Sequence, residues 1–220
     1  MLAANLISAI ITLLIAVLIY IIVGLRQRRS FTPALPILFI WGFISILLNV
    51  LSVYLANLSG LFPLGNSIHR VIFYSIVIAG FVREFGKFIT IRLISKQRRD
   101  FHNPADGIIF ALMASLGFTL AAIMWNITFM NETSMDIYRS LLVLPANIIT
   151  AIILGFFMGL GKLRRNSFID STTGLFAATI FQAVFEFCFI IADPTLLIVL
   201  FAGSILIAVV LVNRARAINK

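Results

Sequence analysis

Residues 81–90 read FVREFGKFIT, with Arg83, Glu84 and Lys87 set inside a long apolar run. At a bilayer centre each charge costs about 2.5–3.5 kcal/mol on insertion scales, so three unpaired charges would cost roughly 8–10 kcal/mol. They are tolerable only if other helices supply partners, and the rest of the chain has to provide them.

Outward from this stretch the sequence stays apolar. Of 220 residues, 61% are hydrophobic and 11% charged, and the mean hydropathy is +1.11. Soluble domains sit nearer half apolar and a quarter charged. The composition predicts an all-α, polytopic membrane helix bundle, with residues 1–220 forming one unit and no separate soluble domain. Runs long enough to cross at 1.5 Å per residue predict seven helices, at about 5–25, 34–57, 66–94, 106–130, 138–161, 172–192 and 195–213. The first run lacks a basic leader and its arginines follow it, so it reads as a retained helix rather than a secretory signal.

The net charge of +9 falls in short clusters at the ends of these runs. That placement marks topology and lipid contact, not a nucleic-acid partner. Arg26, Arg28 and Arg29 follow the first helix, and Arg92, Lys96, Arg98 and Arg99 the third. Lys162, Arg164 and Arg165 follow the fifth, and Arg214, Arg216 and Lys220 the seventh. The opposite loops or their edges hold Glu132, Asp136 and Asp193. The positive-inside rule then puts the N-terminus outside and the C-terminus inside. A lone Cys188 allows no internal disulfide, and Gly155-x-x-x-Gly159 is a pattern for close helix packing.

Arg83 and Lys87 are four residues apart and share a helix face, and Glu84 reaches Lys87 at i+3. Glu186 is the natural counter-ion for Arg83, giving an expected four-charge cluster of zero net charge. Arg139, at the start of the fifth helix, is expected to snorkel to the interface. Pro104 and Asp106 are expected to cap the fourth helix. Asn49 and Asn126 read as interhelical hydrogen-bonding groups; Asn147 and Gln182 read either that way or as site positions.

The stretch FHNPADGIIFALMASLGF (101–118), with FVREFGKF upstream and RSLLVLPANIITAIILGFFMGLGK (139–162) downstream, resembles the PrsW family of intramembrane metalloproteases over about residues 66–192. The strongest local matches are Pro104-x-Asp106-Gly107 and Gly117-Phe118. Against the family's Glu-Glu-x-x-Lys motif the chain has Arg83-Glu84 with Lys87 retained. Ala122 and Ile123 stand where the family carries Glu and Asn. Asn147, after Pro145, stands where the family carries its first histidine, and Gln182 where it carries the last. Glu186 falls on the acidic position. If the chain is active, the resemblance makes Glu84 and Glu186 the catalytic carboxylates.

A catalytic zinc needs three protein ligands and an open position. His69 lies about 22 Å along a helix axis from Glu84 at 1.5 Å per residue, and His102 lies in a loop. Asn147 and Gln182 offer amide oxygens, which are poor zinc ligands, and Arg83 opposes a dication. No metal site is therefore expected. Serine or cysteine chemistry lacks a histidine base. The resemblance thus implies a PrsW-like peptidase fold lacking the expected histidines and one glutamate: a pseudoenzyme that needs no cofactor and binds client transmembrane segments. Two alternatives stand beside it. One is a divergent active intramembrane protease holding zinc; the other is a small transporter or channel using the midplane charges. In each case the chain is expected in the plasma (inner) membrane of a bacterium.

Overall fold

A computed structural model describes residues 2–25, 33–61, 67–96, 101–129, 135–164, 167–191 and 193–218. The helices are α1 (Leu2–Leu25), α2 (Ala34–Ile44), α3 (Ile46–Leu58), α4 (Ile68–Phe73), a π-helical stretch (Tyr74–Val82), α5 (Arg83–Lys96), α6 (Pro104–Phe129), α7 (Met135–Leu163), α8 (Ser167–Ile190) and α9 (Pro194–Ile218). The protein is a polytopic bundle. Among the described residues, six helices are long and apolar enough to cross a membrane: Ala3–Leu25, Ala34–Leu58, Pro104–Thr128, Leu141–Leu163, Ser167–Ile190 and Thr195–Ile218. The third expected span, Ile68–Lys96, is helical throughout, but Arg70, Arg83, Glu84, Lys87 and Arg92 make it too charged to stand among those six. Of the residues that orient the sequence reading, Arg26, Arg28, Arg29, Arg98, Arg99, Arg165, Lys220 and Glu132 lie outside the described residues.

The second expected span is one apolar run, Ala34–Leu58, interrupted at Ser45. The Ser45 hydroxyl donates to the Gly42 carbonyl at 2.6 Å, a back-bond of the kind that bends helices. The helices differ sharply in how enclosed they are. Over an apolar 18-residue stretch of each, 72% of α6 and 67% of α7 is buried, against 22% for α1 and 11% for α9. So α6 and α7 form the core, and α1 and α9 face lipid.

Lipid tails are as apolar as leucine, so water exclusion cannot drive these helices together. Close backbone approach and polar contacts do so instead. A Cβ on Gly107 of α6 would strike the Gly155 carbonyl of α7, and one on Gly159 would fall 2.5 Å from the Asn103 carbonyl oxygen. The Gly155-x-x-x-Gly159 pattern is therefore the crossing point of the two core helices. Gly117 makes the same kind of approach to α2, at the Phe39 carbonyl.

The N-terminus of α6 differs from expectation. Asn103, not Pro104 or Asp106, is the cap: its Oδ1 accepts the Asp106 N–H at 2.9 Å. Asp106 Oδ2 accepts the His102 N–H in return at 3.2 Å, a reciprocal arrangement close to a capping box. Pro104 takes the first helical position, where its missing N–H costs nothing.

The π-helical stretch lies directly before the charged residues. A Cβ on its Gly80 would come 2.9 Å from the Thr179 carbonyl oxygen and 3.1 Å from Ala183 Cβ, so the widened turns pack tightly on α8. From the other side Asn49 Nδ2 donates to the Ile78 carbonyl at 3.3 Å, consistent with its expected role between helices. Wide turns of this type shift the helical register and recur near functional sites. Here they run directly into the first turn of α5.

Candidate functional site

Glu84 and Lys87 project from the first turns of α5 into the bundle and are 0% and 1% exposed. Lys87 Nζ donates to Glu84 Oε1 at 2.5 Å, to Asn147 Oδ1 at 3.0 Å and to Thr150 Oγ1 at 3.3 Å. An ammonium has three hydrogens to give, and all three are taken. The Phe118 ring lies 5.2 Å from the same nitrogen, adding a cation–π contact. The cost of burying a lysine is thus offset by full hydrogen bonding, an anion and an aromatic face.

Asn147 lies two residues after Pro145, whose ring removes one backbone donor from α7. The Asn147 carbonyl is held by the Ser115 hydroxyl of α6 at 2.8 Å and by the Thr150 hydroxyl at 3.2 Å. These bonds fix the turn of α7 that faces Lys87.

The second ionic group centres on Glu186 of α8, 1% exposed. Arg83 Nη1 donates to its Oε2 at 2.9 Å, and Arg139 Nη2 donates to its Oε1. The side chains of Arg83 and Arg139 are 13% and 28% exposed, so this group is open on one side while the Lys87 group is closed. Arg139 does not snorkel as expected; it turns inward and ties the start of α7 to α8. The expected neutral cluster is corrected with it. Arg83, Lys87 and Arg139 face Glu84 and Glu186, leaving one positive charge in surplus.

Of the residues picked out in the sequence, Arg83, Glu84, Lys87, Asn147 and Glu186 meet in these two groups. Gln182 is 1% exposed on α8, one turn before Glu186, and among the described residues its Oε1 has no hydrogen-bond partner, as is also true of Glu84 Oε2. Glu84 and Glu186 are each bound to cations rather than to one another. Pro104, Asp106, Gly107 and Gly117 serve the start of α6 and its packing, whereas Phe118 touches the site through Lys87. Sequence reasoning missed Arg139, Thr150 and Ser115. Thr150 had a signal, since it lies three residues from Asn147 and shares its face.

The residues present do not fit a catalytic dication. Among the described residues no three His, Cys, Asp or Glu side chains converge, and His69 and His102 are both exposed, away from the enclosed Glu84. Glu84 Oε2 and Gln182 Oε1 accept no hydrogen bond among the described residues, but Lys87 already holds Glu84, and Arg83 and Arg139 hold Glu186.

A family model described as PrsW family intramembrane metalloprotease matches residues 32–213, extending past both ends of the 66–192 core. Protease PrsW of Clostridioides difficile (strain 630) is 27% identical over 129 residues, covering 56% of this chain and 53% of that protein. The match therefore spans about half the length of that relative. No solved structure matches the chain.

Proposed function

Because the chain belongs to the PrsW family of intramembrane metalloproteases, we propose that it is a catalytically impaired member that binds client transmembrane segments. The observation that carries this reading is the charge pattern at the site: Arg83 and Arg139 occupy Glu186, and Lys87 occupies Glu84. Two unit charges of like sign 4 Å apart repel by about 4 kcal/mol at an effective dielectric of 20, and a dication doubles that. A metal entering here would have to displace cations from both carboxylates and then bind amides where imidazoles are needed. The ion pairs therefore serve as cross-braces between α5, α7 and α8 in a frame built for chemistry.

Client binding is supported by the outer shell. An apolar groove of about 440 Å³ runs between α7 and α9, lined in part by Pro145, Ile148, Ile149, Ile152 and Val209. A single apolar helix laid there would meet mostly apolar residues. The bacterial relative supports placement in a bacterial plasma membrane, where membrane lipids and client segments are the partners.

The test combines metal and substrate readouts. Purified protein and its Glu84→Ala variant are analysed for zinc. Both are then reconstituted with a single-span model peptide and a photo-reactive group at Ile149. The expected result is substoichiometric zinc in both, and a cross-linked peptide that stays uncleaved. Stoichiometric zinc that disappears in Glu84→Ala, together with cleavage of the peptide, would refute the reading in favour of an active protease.

A further inference from the structure

The ends of α5 and α7 and the starts of α6 and α8 meet at one end of the bundle. Between them lies a cavity of about 190 Å³ lined by Arg92, Ser95, Phe101, Lys162, Ser167 and Ser171, with Met158. None of these residues belongs to the two ionic groups around Glu84 and Glu186, and the proposed function does not use them.

The lining has the chemistry of an anion site. Arg92 and Lys162 come from different helices, are exposed at their heads, and among the described residues have no carboxylate within ion-pair distance. Each instead rests on an aromatic ring: the Arg92 guanidinium carbon is 5.6 Å from the Phe88 centroid, and Lys162 Nζ is 6.0 Å from that of Phe101. These contacts hold the two cations in place without neutralising them. Two serines, Ser95 and Ser171, are buried deeper, at 4% and 3% exposure. The nearby carboxylate of Asp170 does not line the cavity; its Cβ packs against Gly161. Two unneutralised cations facing one small space repel each other, and hydroxyls beside them add donors. A multi-oxygen anion relieves the repulsion and can accept from both cations and from the Ser167 and Ser171 hydroxyls, while the Ser95 hydroxyl donates to the Arg92 carbonyl at 3.3 Å.

We propose that this cavity binds the phosphate group of an anionic phospholipid. Basic pockets between transmembrane helices at a headgroup interface take such groups, and this one sits at helix ends with its cations exposed and apolar Phe101 and Met158 at its wall. The lipid would tie α5, α7 and α8 together at the end opposite to the Arg139–Glu186 contact.

The test uses the full chain purified in a neutral detergent. It is titrated separately with phosphatidylglycerol, phosphatidylcholine and inorganic phosphate, and bound molecules are counted by native mass spectrometry. The expected result is one saturable phosphatidylglycerol per chain. With about 1 kcal/mol for each basic side chain near an anionic lipid, affinity falls about fivefold in Arg92→Gln or Lys162→Gln and about thirty-fold in the double variant. Swapping the cations, Arg92→Lys with Lys162→Arg, retains binding. Arg164→Gln, which removes an exposed charge at the same end but outside the cavity, leaves it unchanged. Inorganic phosphate that competes with the same dependence on Arg92 and Lys162 shows a site for the phosphate group whatever its source; failure to compete assigns the lipid. The proposal is overturned by absence of saturable binding, by equal affinity for phosphatidylcholine, or by an equal loss in Arg164→Gln. The single variants keep the test decisive if the double variant does not fold.

Discussion

Replacing Lys87 with methionine keeps the volume of the side chain and removes its charge. In the native protein Glu84 is 0% exposed and pairs with Lys87 at 2.5 Å, while among the described residues Glu84 Oε2 has no hydrogen-bond partner. Lys87→Met therefore strands a buried carboxylate and frees Asn147 Oδ1 and Thr150 Oγ1. Breaking a buried pair from one side costs about 3–5 kcal/mol. Neutralising both partners is different. Glu84→Gln/Lys87→Met loses three hydrogen bonds, which at about 0.6 kcal/mol each in a membrane bundle amounts to about 2 kcal/mol. The double variant is thus expected to be more stable than Lys87→Met by about 1–3 kcal/mol. Reversible unfolding in mixed micelles, followed by circular dichroism for the wild type, both single variants and the double, gives the cycle directly. A Lys87→Met protein within 1 kcal/mol of wild type, or a double variant no more stable than that single, would refute the reasoning.

Other outcomes follow from the same geometry. Arg139→Ala is expected to cost about 1–2 kcal/mol, the low end for a charged hydrogen bond because its side chain is 28% exposed; Glu186→Leu, which strands Arg83 as well, costs about 3–5 kcal/mol. The ranking is read from unfolding midpoints, and a reversed order would count against an inward-turned Arg139. Gly107→Leu drives a side chain into the Gly155 backbone and is expected to cost at least about 3 kcal/mol or to prevent assembly, seen as loss of the monodisperse species on size exclusion. In a Cys188→Ala background, Lys220→Cys is expected to react with a membrane-impermeant maleimide only after the inner face is opened; labelling of intact cells would overturn the N-out, C-in orientation.

Much of this architecture was legible in one dimension, and the misses have identifiable causes. Apolar run length located the helices because a bilayer admits little else. The Glu84–Lys87 contact followed from helical spacing, and the Arg83–Glu186 contact from the scarcity of charges inside spans. Arg139 escaped because its place near a helix end suits two directions equally; only the packing of α7 on α8 turns it inward. The π-helical stretch Tyr74–Val82 has no residue signature; its contacts, Gly80 against α8 and Asn49 against the Ile78 carbonyl, are long-range in sequence. Asn103 was overlooked beside Pro104 and Asp106, although its amide oxygen is well suited to capping. The metal question could be posed from sequence, because the substituted positions could be named. The surplus cation could not, because it depends on Arg139.

The crossing of α6 and α7 at Gly107, Gly155 and Gly159 also limits how the protein can move. Where two backbones touch, no rotamer can swing aside to admit motion, so this pair behaves as a keel. Any opening of the bundle must come from its planking, and α9, with only 11% of an apolar 18-residue stretch buried, is the plank held least. Under the proposed client binding, a visiting helix would enter by parting α9 from α7.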